Sequence, residues 1–300
     1  MSSLHLPRPE GPNADDLLMS RRGLASLLFA GYAASALAAE AAPITTDPAG
    51  LIVDQTMITQ SLPAFVARPD GKGRYPVVIV VSEIFGVHEW IRDVCRRFAK
   101  LGYVAVAPNF FFRADPTNTL PALTDFTAIF KIVATAGNEQ VMGDIGETIK
   151  WAKAQTFVDP SRLALTGFCW GGGVAWMAAE RFADLKAAGA WYGGLTPRPP
   201  GTPLSEPGRK WPIEGVADLK APVLGFYGGK DKGIPEKDVQ AMRDALKAAG
   251  KKDSDLIFYP DAEHGFLADY RASYNAAAAT DAWSKLLAFF KAHGAGPGPK

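Results

Sequence analysis

Residues 76–81 read Pro-Val-Val-Ile-Val-Val, a continuous β-branched run bounded by turn residues. Side chains of a strand point alternately to two faces, so a run that is apolar at every position belongs in a parallel sheet covered on both sides. The period then changes. Ile91, Val94, Cys95, Phe98 and Leu101 share one helical stripe, which predicts a helix laid on that sheet. A strand over 103–107, a helix over 139–155, a strand over 163–166, a helix over 172–182 and a strand over 187–192 continue the series. A strand over 222–227, a helix over 236–249, a strand over 256–259 and a helix over 273–293 complete it. Alternation of this kind specifies an α/β fold, a mostly parallel sheet with helices on both faces joined by right-handed crossovers. Two stretches depart from the pattern. Residues 196–212 hold six prolines and read as a surface excursion that could cover an active-site mouth, and residues 110–136 are aromatic-rich and weakly helical.

The bulk properties narrow the partners. With 48% hydrophobic and 21% charged residues, the 300-residue chain can bury a sizeable core, and its 32 basic against 31 acidic side chains leave a net charge of +1. Such a balance provides no field for steering toward nucleic acid or an anionic membrane, so a small-molecule partner is expected. Two cysteines, no CxxC and no zinc-type spacing argue against a disulfide framework or a metal site, and no cofactor is expected.

The chemistry concentrates in three loops. Gly167-Phe168-Cys169-Trp170-Gly171 lies between a predicted strand and a predicted helix that opens with glycines. This is the G-x-nucleophile-x-G elbow in the strand-turn-helix setting the motif needs, and it puts Cys169 at a helix N-terminus, a position that suits a nucleophilic sulfur. Asp231 follows the strand over 222–227, and His264 follows the strand over 256–259. Nucleophile, acid, histidine is the chain order expected of a catalytic triad on an α/β-hydrolase sheet. His88 reads as a loop or helix-start residue, and Cys95, on its helix's apolar stripe, as a packed core thiol.

At these residues a family resemblance becomes specific. Ser82-Glu83-Ile84-Phe85-Gly86-Val87, the Cys169 elbow with Gly172, Tyr227-Gly228-Gly229-Lys230-Asp231 and Glu263-His264-Gly265-Phe266 resemble the successive blocks of the dienelactone hydrolase family, over roughly residues 50–294. The resemblance implies a single α/β-hydrolase domain without cofactor. It also implies hydrolysis of a lactone or carboxylic ester, of the dienelactone kind, through an acyl-enzyme on Cys169, with His264 as base and Asp231 orienting it. Glu83 takes the position of a buried glutamate beside the thiol, held in such families to help deprotonate it. The backbone N–H groups of Ile84 and Trp170 are the expected oxyanion donors. Of the arginines that clamp a substrate carboxylate in dienelactone-cleaving members, Arg113 matches one, while Ala268 stands where a second is expected. Arg271 is an alternative, although solvation on a helix surface is the commoner fate of such a residue. Phe266, with Phe110, Phe111, Phe112 and Trp170, is expected near the pocket. Other readings are a broad carboxylesterase or lactonase on uncharged substrates, a non-catalytic ligand-binding relative, and a thiol redox protein. The third lacks a resolving cysteine near Cys169.

The first thirty-nine residues read as a leader. Arg21-Arg22 precede sixteen mostly apolar residues, 23–38, which end on a small-residue run. That is a basic region, an apolar region too short to span a bilayer, and an A-x-A cleavage site, and the paired arginines are similar to a twin-arginine address for export of folded proteins. Residues 40–50 are then a linker, 51–294 the domain and 295–300 a flexible tail. The expected location is the periplasm or beyond, with transient engagement of the twin-arginine machinery and no stable membrane anchor after cleavage. The alternative is an uncleaved tail on a cytoplasmic protein. On the export reading the mature chain begins near Ala39, and replacing Arg21 and Arg22 with lysine traps precursor in the cytoplasm. N-terminal sequencing and fractionation check both.

Overall fold

The computed structural model describes residues 44–205 and 208–297, so the leader and its cleavage site lie outside the described residues. Eight strands form one sheet: β1 (Leu51–Thr59), β2 (Leu62–Pro69), β3 (Tyr75–Val81), β4 (Val104–Pro108), β5 (Val158–Phe168), β6 (Leu185–Trp191), β7 (Val223–Gly228) and β8 (Asp255–Tyr259). Six α-helices accompany them: α1 (Glu89–Lys100), α2 (Phe126–Val133), α3 (Asn138–Ala154), α4 (Trp170–Arg181), α5 (Glu236–Ala248) and α6 (Ala276–Ala292). The strand order is β1-β2-β4-β3-β5-β6-β7-β8. Strands β3 to β8 are parallel, whereas the hairpin β1–β2 joins antiparallel through β4. The predicted α/β sheet is what forms. The hairpin is an addition that periodicity did not flag, because most of β1 is exposed on both faces and carries little apolar alternation.

Burial follows the reading of the strands. Val77, Val78, Ile79, Val80 and Val81 are all fully buried, as are Val104 to Ala107 of β4. Cys95 is likewise enclosed among the core side chains of α1, where burial pushes its thiol pKa well up and leaves it inert. Both ends of the domain are anchored by specific contacts. Residues 44–49, expected as linker, are tied down where Thr46 donates its backbone N–H and hydroxyl to Asp93, at 2.7 and 3.2 Å. At the other end Gly294 adopts φ +81° and turns the chain back, so that the Ala295 N–H bonds the Phe290 carbonyl at 2.8 Å. Such a left-handed closure satisfies the last carbonyls of α6 and buries Ala295.

The order of the sheet reverses at β3, whose two neighbours leave the chain in opposite directions, and the carboxyl ends of strands beside such a point form a crevice. Val81 of β3 pairs with Gly167 of β5, which sets the loop carrying Glu83 beside the elbow carrying Cys169. The elbow is too tight for side chains at its flanks. A Cβ at Gly167 would lie 1.9 Å from the Gly171 carbonyl oxygen, and one at Gly171 would lie 2.5 Å from the carbonyl oxygens of both Val81 and Ser82. These neighbours are backbone and cannot swing aside. Gly171→Ala is therefore expected to cost several kcal/mol of folding free energy, toward the upper end of single substitutions at roughly 4 kcal/mol. Denaturant unfolding measures it, and a loss below about 1 kcal/mol would show that the elbow relaxes.

Candidate active site

Cys169 sits between β5 and α4 with φ +54° and ψ −115°, a region that costs a non-glycine residue about 1–3 kcal/mol and is retained where the surroundings dictate it. Its amide donates to the Trp191 carbonyl at 3.0 Å, and its own carbonyl accepts from the Gly172 N–H at 2.9 Å. Backbone on both sides thus pins the elbow. Its side chain is buried from bulk solvent but lines a cleft, together with Ile84 and Trp170.

The loops after β7 and β8 supply the partners. His264 Nδ1 lies 2.7 Å from Asp231 Oδ2, and both residues are buried. A carboxylate can only accept, so Nδ1 carries the proton. Burial opposes a charged ring, yet the Asp231 carboxylate and the Cys169 sulfur outweigh it and lift the imidazole to about 9. Both Asp231 and Cys169 thus act electrostatically on the His264 ring. The three triad types named from sequence are therefore together in space. Asp231 is itself braced by the Gly233 N–H, which donates to Oδ1 at 2.8 Å.

Glu83 is fully buried under three partners that sequence did not connect. The Tyr270 hydroxyl donates to Oε2 at 2.9 Å, Arg271 Nη2 pairs with Oε1 at 3.1 Å, and His88 Nε2 lies 3.4 Å from Oε2. Burial alone would raise this carboxyl. Arg271 first, then His88 and Tyr270, overcome that and hold it at about 2, so Glu83 is a permanent anion. Arg271 is buried at 3% exposure in the loop between β8 and α6, against the helix-surface expectation, with its guanidinium about 5 Å above the rings of Phe85 and Tyr270. Tyr192, at φ +39° on the far side, joins the same electrostatic cluster as Glu83, Arg271 and Cys169. His88 and Arg271 both meet Glu83, whereas the sequence offered Arg271 only as an alternative carboxylate clamp, a role its pairing with Glu83 occupies.

The expected substrate contacts distribute differently. Arg113 donates two hydrogen bonds of 2.8 Å to Asp144 of α3, and it does not line the cleft. Phe266 is fully enclosed against Trp191, Tyr192 and Tyr259, so it packs behind His264 instead of facing substrate. Phe110 and Phe111 back the Trp170 ring, and from the aromatic-rich stretch it is Phe130 of α2 that reaches the cleft. The proline-rich excursion does border the mouth, through Arg198, Leu204 and residues 209–212.

Two ends of one buried pair make a direct test. Glu83→Gln leaves the Arg271 charge enclosed without its counter-ion and is expected to cost about 3–5 kcal/mol, much of it recovered by adding Arg271→Met. The Glu83 contribution has a depressed folded-state pKa, so it is complete above the ordinary carboxyl value of 4.5 and disappears as pH falls toward 2. Urea unfolding between those pH values should show an acid slope in the wild type that Glu83→Gln flattens. Equal slopes would mean that other carboxylates carry it.

Known proteins resemble this chain over most of its length. Residues 62–294 match the model of the dienelactone hydrolase family. A protein of Escherichia coli K12 named "Putative carboxymethylenebutenolidase" is 42% identical over 90% of this chain and 98% of its own length. One of the same name from Yersinia pestis is 47% identical over 78% of this chain and 84% of its own. A crystal structure titled as that of a "Putative Dienelactone Hydrolase" from Klebsiella pneumoniae superposes with a TM-score of 0.72 at 44% identity, covering 80% of this chain and 98% of that one. The chain thus belongs to the dienelactone hydrolase family, an α/β-hydrolase that cleaves lactone and carboxylic ester bonds.

Proposed function

We propose that hydrolysis proceeds through an acyl-enzyme on Cys169, with His264 and Asp231 as its partners. The observation that carries this reading is the strained Cys169 elbow facing an imidazole whose other nitrogen is bonded to a carboxylate at 2.7 Å. The proton of the thiol passes to His264, and the sulfur attacks the carbonyl carbon. Negative charge then moves onto the carbonyl oxygen. Trp170 opens α4, where an N–H has no intrahelical acceptor, and Ile84 shares the cleft, so their amides are the donors assigned to that oxyanion. The C–O bond breaks as the His264 imidazolium protonates the leaving oxygen. Water, deprotonated by His264, attacks the thioester, and the carboxylic acid leaves as the C–S bond breaks and the thiol is restored.

Glu83 has a supporting part in this scheme. Both of its oxygens are committed to Arg271, Tyr270 and His88, which makes His264 the better-placed base for the thiol. Export by the paired arginines remains part of the proposal, and a lone thiol with no nearby cysteine suits an oxidising compartment.

Cys169→Ala should abolish ester turnover while leaving unfolding unchanged within about 1 kcal/mol, and Asp231→Asn should retain a small residue of activity through loss of imidazole orientation. The imidazolium supplies the leaving-group proton and titrates at about 9, so kcat/KM should fall on the alkaline side with an apparent pKa near that value. Because the Asp231 carboxylate raises that pKa, Asp231→Asn should move the alkaline limb to lower pH. Turnover by Cys169→Ala at the wild-type rate would sink the mechanism.

A further inference from the structure

The sheet ends on two unlike edges. β8 is five residues long, and both backbone groups of its Leu256 are engaged, the carbonyl by Arg243 Nη2 and the N–H by Asp255 Oδ1, each at 2.7 Å. The opposite edge is β1, nine residues without a proline or a lysine, paired on one side only among the described residues. Its one irregularity in pairing lies past Met57, between Met57 and Thr59. Of the five large apolar side chains exposed among the described residues, β1 carries three, Ile52, Val53 and Met57. A long apolar edge without blocking charges is where another chain adds its strand.

Two hydrogen bonds fix which way the β1 backbone faces. The Asp70 N–H donates to the Gly50 carbonyl at 3.2 Å, and bonded pairs alternate along an antiparallel ladder, so Ile52, Asp54 and Thr56 turn their N–H and C=O groups toward β2. On β2 the Asn109 N–H donates to the Pro63 carbonyl at 2.8 Å, which gives the complementary parity toward β4. Leu51, Val53, Gln55 and Met57 therefore present their backbone groups outward. The Gln55 N–H agrees, since its acceptor is the exposed Asp54 carboxylate, at 2.7 Å, and not a β2 carbonyl.

These outward groups are self-complementary. Gln55 is the midpoint of Leu51–Thr59, so a two-fold axis beside it lays the whole strand antiparallel on its own copy. Gln55 then exchanges both backbone bonds with Gln55 of the second copy, and Val53 exchanges both with Met57. Val53 and Met57 share one face of the strand, and each is covered by the other across the axis. Asp54, the strand's one charge, falls opposite Thr56 and not opposite itself. Registers centred on Val53 or Met57 run past the strand's end and leave outward groups unpaired. We propose that β1 is a homodimer interface, through which two copies join their eight-stranded sheets edge to edge about Gln55. A contact of one strand pair falls below about 1,200 Å² of buried area, so the dimer is reversible and concentration-dependent.

Sedimentation velocity of the full chain across the micromolar range should show monomer passing to dimer and stopping there, because a two-fold contact closes on itself. Gln55→Pro removes an N–H that the β1–β2 ladder does not use, at an outward position where proline is tolerated. It should weaken the dimer by roughly tenfold or more, as expected for the loss of two backbone hydrogen bonds. Val53→Lys/Met57→Lys sets like charges opposite each other across the axis and should weaken it as well. Asp54→Ala frees the Gln55 N–H and should tighten the dimer. No residue of β1 lines the cleft, so ester turnover per chain should stay at the wild-type level in all three variants, which shows each to be folded. If Gln55→Pro loses turnover, the double lysine variant decides alone. A wild type that stays monomeric through the high micromolar range overturns the interface, and so does a dimer that survives Val53→Lys/Met57→Lys. Growth into open chains overturns it too, because β1 would then be pairing with a different surface.

Discussion

The carbonyl oxygens of Val81 and Ser82 stand 2.5 Å from the point where a side chain on Gly171 would begin, and that contact ties the end of β3 to the start of α4. Much of the site descends from this closeness. It fixes the elbow beside the loop that carries Glu83 and Ile84, and it forces Cys169 into a backbone region that only a rigid surround maintains. Hydrogen bonds from the Cys169 amide to Trp191 and from Gly172 back to Cys169 close the same turn from the other side. The sulfur is positioned by backbone, so little side-chain ordering is left for the moment of reaction.

Behind the elbow lies a polar interior that packing alone would not favour. Glu83 and Arg271 are both withdrawn from water, and each would be costly without the other. Their bond to Tyr270 and the nearby His88 ring make a network that holds the β3 loop, where Ile84 sits, against the β8 loop, where His264 sits. Ile84 and His264 are thereby referenced to one another through a buried ion pair. An apolar replacement of equal volume could be as stable, yet it would not fix relative orientation with the same directionality.

How much of this could be read from residues alone depended on range. The elbow, the Asp231 loop and the His264 loop are local patterns, each a strand end followed by a short motif, and they were legible. The strands with continuous Val and Ile were equally plain, because burial on both faces leaves no other composition. The β1–β2 hairpin was missed since β1 is mostly exposed and its residues look like loop. Arg271 was misread for a different reason. Nothing within its own neighbourhood announces burial, and its partner Glu83 is supplied by the loop after β3, far away in the sequence. Arg113 failed in reverse, a motif position whose guanidinium is taken by Asp144, a residue of α3 that no local pattern links to it.

The bond between Tyr270 and Glu83 joins residues 187 positions apart, and His264 meets Asp231 across 33. Contacts that close so much chain are late events, because loop entropy must be spent before they return anything. On the proposed mechanism, a chain emerging from synthesis in order would hold its nucleophile elbow well before its base exists. The exposed sulfur would stay without an imidazole until β8 pairs with β7 and the 260–275 loop folds down over β3. Reactivity would then switch on with the final docking step, so that an unfinished domain has nothing with which to acylate itself or its neighbours.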